Sequence, residues 1–149
     1  MVLFTPEDLL IIKEGPNLRR DLIDEIIISI DFAYKNSKKE YEKLIYQRNK
    51  LLKKQNSPYF NQQLDAFDKG LVKYGFKIYK RRAKFIKIID QFANDYHSKL
   101  SAGKEDLRLI YNPDINADSL EDYYQKFVSA RNDDLRSVSY THLTLPTSD

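Results

Sequence analysis

Residues 61–99 read NQQLDAFDKGLVKYGFKIYKRRAKFIKIIDQFANDYHSK. The ladder through this stretch is Leu64, Phe67, Leu71, Tyr74, Ile78, Arg81, Phe85, Ile88 and Phe92. Its steps alternate three and four without a slip, which is the heptad seam of a long helix that packs against another helix. Arg81 is the one charged residue in the seam, and its long stem is expected to snorkel out along the groove. The partner is expected just upstream. Tyr34, Tyr41, Leu44, Leu51 and Leu52 predict a helix to about Gln55, and Asn56-Ser57-Pro58 breaks it. Two helices joined by so short a loop pack antiparallel as a hairpin.

Working outward, Leu22, Ile23, Ile26, Ile27 and Ile30 recur at helical spacing and predict a helix from Asn17 to about Ile30. Before it, Val2–Phe4 reads as a short strand. Thr5 can cap a helix that has Pro6 at its first position, Glu7 and Asp8 in the first turn, and Gly15-Pro16 as its stop. Beyond the seam, Gly103 marks a turn and Leu107, Leu109 and Tyr111 alternate as a strand would. Asn112-Pro113-Asp114 is a turn signal. Asp118 or Ser119 then caps a last helix, carrying Leu120, Tyr123, Tyr124, Phe127 and Val128 towards Arg136. The expected fold is mostly α, an antiparallel coiled-coil-like hairpin with short flanking strands.

Composition narrows the functional classes. A chain of 149 residues builds one core at most. Charged residues make up 32% and only four residues are glycine, which favours long solvated helices over an all-β fold. With no cysteine there are no disulfides or thiolate metal sites, as a reducing cytoplasm permits. No apolar run approaches the ~20 residues of a membrane span, and the N-terminus lacks the layout of a secretory signal. The net charge of +3 says little; its distribution says more.

Lys69, Lys73, Lys77, Lys80, Lys84 and Lys87 cluster within about 80° of arc, opposite the seam, on a helix turning 100° per residue. Between Lys69 and Lys87 stand eight Lys or Arg and no Asp or Glu. Lys35, Lys39, Lys43, Lys50 and Lys54 add a looser stripe on the preceding helix. Such rows can lie along a phosphate backbone and release its counterions; they can also be no more than a solvated face. Gly70 and Gly75 have the spacing of a phosphate loop, but Phe76 and Lys77 follow where Lys and Ser/Thr are required, which argues against a nucleotide site. His97 and His142 lack companion ligands for a metal. Asp133 and Asp134 read as surface charges, and no nucleophile–base arrangement can be argued.

The stretch PEDLLIIKEGPNLRRDLID, Pro6 to Asp24, resembles the signature of RecF proteins. The matching residues are Pro6, Glu7, Ile11, Ile12, Gly15, Pro16, Arg19, Arg20 and Asp24. Glu14 and Leu22 depart from the pattern. The resemblance continues through Gln47-Arg48-Asn49, Leu51-Leu52-Lys53, Phe67-Asp68, Leu71 and Tyr74-Gly75. It resumes at His97, Leu100, Ser101, Gly103, Glu105, Leu107 and Tyr111, then at Arg131, Asp134 and Leu135, and so covers residues 1–136.

This resemblance implies an internal fragment of an ABC-type ATPase related to the heads of Rad50 and SMC proteins. Residues 1–16 would join head and arm, 17–100 would form the arm, and 101–136 would return to the head. The family's ATP and Mg motifs are expected upstream and downstream, leaving this chain inactive by itself. The family further implies DNA repair and replication, the SOS response, a cytoplasmic, nucleoid-associated site and no membrane. Its expected partners are DNA at single-strand/double-strand junctions, RecO- and RecR-like proteins, and a second copy in an ATP-dependent homodimer. Candidate DNA contacts are Arg19, Arg20, Lys69, Lys73, Lys77, Lys80, Arg82 and Lys84. From Ser137 the run SVSYTHLTLPTSD leaves the family pattern and looks like translated sequencing-adapter read-through, a non-native tail in which Val138, Tyr140 and Leu143 could still form a strand. A competing class is a helical-hairpin scaffold whose seam binds another protein chain, without DNA contact.

Overall fold

The computed structural model of the protein describes residues 16–104 and 108–141. The strand at Val2–Phe4, the Thr5-capped helix, Leu107, His142 and Leu143 lie outside the described residues. Four helices follow in order: α1 (Pro16–Ile30), α2 (Phe32–Leu52), α3 (Phe60–Leu100) and α4 (Leu120–Thr141). Helix α3 spans 41 residues, about 60 Å at 1.5 Å per residue, and is the spine on which the others pack.

Pro16 opens α1, where its missing N–H costs nothing. Between α1 and α2 only Asp31 leaves helical geometry, at φ −133° and ψ 99°. Its carboxylate accepts from the Tyr34 N–H at 3.1 Å and so caps α2. Arg81 does not simply snorkel out of the seam: its Nε lies 2.9 Å from Asp31 Oδ2, so the seam's one cation ties α3 to the bend between α1 and α2. Helix α2 ends at Leu52, short of Gln55, and turns through residues 53–59 into α3.

Three apolar clusters hold the helices together. Leu51, Leu52, Phe60 and Leu64, with Phe67 and Leu135, close the end where α2 turns into α3. Ile27, Tyr34 and Ile78, with Ile23, Tyr41 and Phe85, fasten α1 and α2 to the seam. Val72, Ala117 and Tyr123, with Phe76, Tyr79 and Phe127, fasten α4 to the next face of α3. The seam is therefore covered only part of the way. Beyond Phe85, the last seam residue packed on that second cluster, Ile88 is 39% exposed and Phe92 72%.

Two glycines sit inside α3, where glycine costs about 1 kcal/mol against alanine. At Gly75 a Cβ would stand 2.8 Å from the Tyr123 hydroxyl and 3.1 Å from Tyr41 Cε2; at Gly70 it would stand 2.7 Å from Leu44 Cδ1. Close approach of α2 and α4 explains both. At the far end, the Gly103 N–H donates to the Ser98 carbonyl at 2.9 Å, and Ala102 (φ 54°) and Gly103 (φ 74°) turn the chain out of the helix.

The strand expected over Leu107–Tyr111 is not found at residues 108–111, which carry no regular structure. Asp90 holds this stretch instead: its Oδ1 accepts from the Leu109 N–H at 2.6 Å, and its Oδ2 lies 3.1 Å from the Arg108 side-chain Nη2. No neighbouring strand among the described residues competes for these groups. Ser119 caps α4, its Oγ accepting from the Asp122 N–H at 3.1 Å while Asp122 Oδ2 accepts from the Asp118 N–H at 3.2 Å. Helix α4 runs past Arg136 to Thr141, so Val138 and Tyr140 lie in helix rather than strand.

Candidate nucleic-acid interface

The basic run of α3 emerges as a solvent-facing row. Lys69, Lys73, Lys77, Lys80, Lys84 and Lys87 are all exposed. The seam and the α4-facing side are both occupied by packing, which leaves one arc of the helix free, and the lysines fill it. Half-buried rings lie beneath them: Lys73 and Lys77 Nζ stand 5.3 and 5.8 Å from the Tyr74 ring centroid, and Lys80 Nζ 5.2 Å from that of Phe76. Among the described residues none of these six lysines pairs with a carboxylate. The acids flanking the run, Asp68 and Asp90, are buried and held by Arg48 and Arg108.

The other candidates are placed differently. Arg19 is exposed and Arg20 half-buried, both near the start of α1 and so on a different helix from the row. Arg82 belongs to the run in sequence but not in space. Its Nε and Nη2 donate to Asp24 Oδ1 and Oδ2 at 2.8 and 2.6 Å. Asp24 also accepts from the Tyr34 hydroxyl at 2.5 Å and lies 3.1 Å from Lys38 Nζ. Burial alone would raise the Asp24 pKa, but the bond and charge of Arg82, with Tyr34 and Lys38, outweigh it and hold the carboxyl below its usual range. Burial and Asp24 push the Tyr34 phenol well up, although the charge of Arg82 opposes them.

A second buried ion pair escaped the sequence reading. Arg48 is fully buried, its Nε 2.6 Å from Asp68 Oδ1 and its guanidinium 5.6 Å from the Phe127 ring centroid. Arg131 Nη1 reaches Asp65 Oδ1 at 2.6 Å, and its Nε stands 3.6 Å from Asp68 Oδ2, which ties α4 to α3. Here burial wins: it raises the Asp68 pKa despite Arg48 and Arg131. The available signal was position, since Arg48 falls on the ladder Tyr41, Leu44, Arg48, Leu51 at steps of three, four and three.

The ATP and Mg implied by the family resemblance do not fit the described residues. Gly70 and Gly75 are helical and face Leu44, Tyr41 and Tyr123, so their backbone N–H groups cannot cradle a phosphate. No group of three or more potential metal-ligating side chains occurs among the described residues. No helix of the described residues is long and apolar enough to cross a membrane.

No family model matches the chain. It is 41% identical over 125 residues to the DNA replication and repair protein RecF of Lachnospira eligens, covering 82% of this chain and 34% of the relative. RecF of Agathobacter rectalis is 37% identical over 142 residues, covering 95% and 38%. RecF of Bacillus mycoides is 32% identical over 140 residues, covering 88% and 37%. A solved structure of the recombination mediator protein RecF-ATP in the RecFOR pathway superposes with a TM-score of 0.82 at 29% identity, covering 99% of this chain and 41% of that one. The chain spans about a third to two fifths of the length of these relatives. Over that span the chain is similar to the RecF proteins, as a fragment of their length.

Proposed function

We propose that this chain is the helical arm of a RecF-type DNA repair protein, and that the lysine row of α3 carries the phosphate backbone of DNA. The observation that supports this is the row itself: six exposed lysines on one arc, with no carboxylate partner among the described residues. Like charges this close repel one another unless anions compensate them. Phosphate contacts carry no sequence information, which suits a protein that must act at any gap.

In the parent protein this contact would serve ATP-dependent, dimeric binding at single-strand/double-strand junctions, together with RecO- and RecR-type partners, in recombinational gap repair and the SOS response. ATP and Mg would be handled by other parts of that protein. Arg19 and Arg20 are rival anchors, whereas Arg82 is committed to Asp24 and left out of the row.

A second reading has one observation in its favour. Phe92, Tyr96 and Leu100 continue the seam's end uncovered, as a seat for another protein chain would. Salt separates the two, because phosphate contact weakens steeply as salt rises and apolar contact does not.

The test is Lys77→Glu with Lys80→Glu, in this chain and in a full-length relative. Duplex binding should weaken equally across sequences, and the slope of log affinity against log salt should flatten by about 2. Normal duplex binding by the double variant, with loss in Arg19→Ala, would leave the row a mere solvated face.

A further inference from the structure

The outer face of α2 differs chemically from the α3 row. Phe32, Lys35, Lys39, Lys43, Tyr46 and Lys50 recur at steps of three, four, four, three and four. That spacing gathers them within about 80° of arc, opposite the buried Tyr34, Ser37, Arg48 and Leu51. All six are exposed, and the two aromatics conspicuously so, at 73% for Phe32 and 62% for Tyr46. Lys50 Nζ stands 4.5 Å from the Tyr46 ring centroid. The exposed Glu42 of the same helix lies 3.8 Å from Lys38. On α3 the rings are half-buried beneath the lysines; on α2 they stand among them at the surface.

From this arrangement we infer that the outer face of α2 is a binding surface for single-stranded nucleic acid, with bases stacking on Phe32 and Tyr46 and phosphates lying on the lysines between. Exposed aromatics in a basic track are the means by which proteins hold unpaired bases, since every base has a face to stack. A duplex hides those faces, so the rings add nothing to duplex contact. The rings lie 14 positions apart, about 21 Å along the helix, with lysines in the interval. They form no continuous apolar band of the kind that sinks into a lipid surface. The inference rests on the reading that the arm contacts DNA; it gives the single strand to α2 and the duplex phosphates to α3.

The experiment measures binding of the 149-residue chain to an oligo(dT) strand, to a blunt duplex and to anionic phosphatidylserine vesicles. Phe32→Ala with Tyr46→Ala should weaken oligo(dT) binding about fivefold or more, the lower bound for losing one stacked base. Duplex affinity should be unchanged, and Tyr46→Phe with Phe32→Tyr should restore strand binding. The inference is overturned if the alanine pair binds oligo(dT) normally, if both nucleic acids are lost together, if the wild-type chain ignores oligo(dT), or if the alanine pair loses vesicle binding instead. Failure of the α3 reading looks different: duplex binding then survives Lys77→Glu with Lys80→Glu.

Discussion

Arg82 stands in the middle of the basic run yet points inward, its guanidinium donating to both carboxylate oxygens of Asp24 at 2.8 and 2.6 Å. The pair joins α1 to α3 around a side chain, Asp24, that is only 2% exposed. Removing one partner leaves a buried charge unpaired, which costs about 3–5 kcal/mol. Arg82→Ala and Asp24→Ala should each lower the unfolding free energy by that order in urea titrations. Arg82→Gln with Asp24→Asn removes both charges and should be milder than either single alanine. The double variant should also keep its DNA affinity, because Arg82 does not belong to the outward row.

The same pair sets a pH dependence. The folded pKa of Asp24 lies below its ordinary 3.8, so its contribution is present above that value and lost as pH falls through the folded pKa. Stability should therefore drop as pH falls from about 5 through the folded pKa, and Asp24→Asn should flatten the drop. Asp68 runs the other way. Its folded pKa is raised by burial, so its contribution is full below the unfolded value and fades as pH rises through the folded one. Denaturation of Asp68→Asn and Asp24→Asn across this range should show slopes altered in opposite senses.

The two helical glycines separate packing from propensity. At Gly75 a Cβ meets Tyr41 and Tyr123 from two helices, and both are held by their own packing. Gly75→Ala should destabilise by about 1–3 kcal/mol, the cost of overpacking, despite the helix propensity gained. At Gly70 the obstacle is the tip of Leu44, a half-buried and flexible side chain. Gly70→Ala should stay within about 1 kcal/mol of wild type. Thermal melts of the two variants should diverge; equal behaviour would contradict this packing.

Asp31 has two duties, capping α2 through the Tyr34 N–H and pairing with Arg81. Asp31→Asn keeps the cap and loses the charge, whereas Asp31→Ala loses both. The alanine variant should cost about 1 kcal/mol more than the asparagine one, the ordinary value of an N-cap. Because Arg81 is 45% exposed, the ion pair itself should add little.

The seam from Leu64 to Phe92 by itself determined the long helix, and the break at Asn56-Ser57-Pro58 determined that its partner returns antiparallel. Both follow from local periodicity and turn chemistry, which a sequence carries explicitly. The helical spacing of the lysines likewise placed the basic row on the arc away from the seam. What α1 and α4 cover was not legible, because that depends on which parts of the chain meet across long separations. So the seam's end at Ile88–Phe92 stayed open, Asp90 rather than a neighbouring strand took the Leu109 N–H, and Asp24 rather than DNA claimed Arg82. Periodicity gives the direction of a side chain around its own helix; only the packed helices decide which charge waits on the other side.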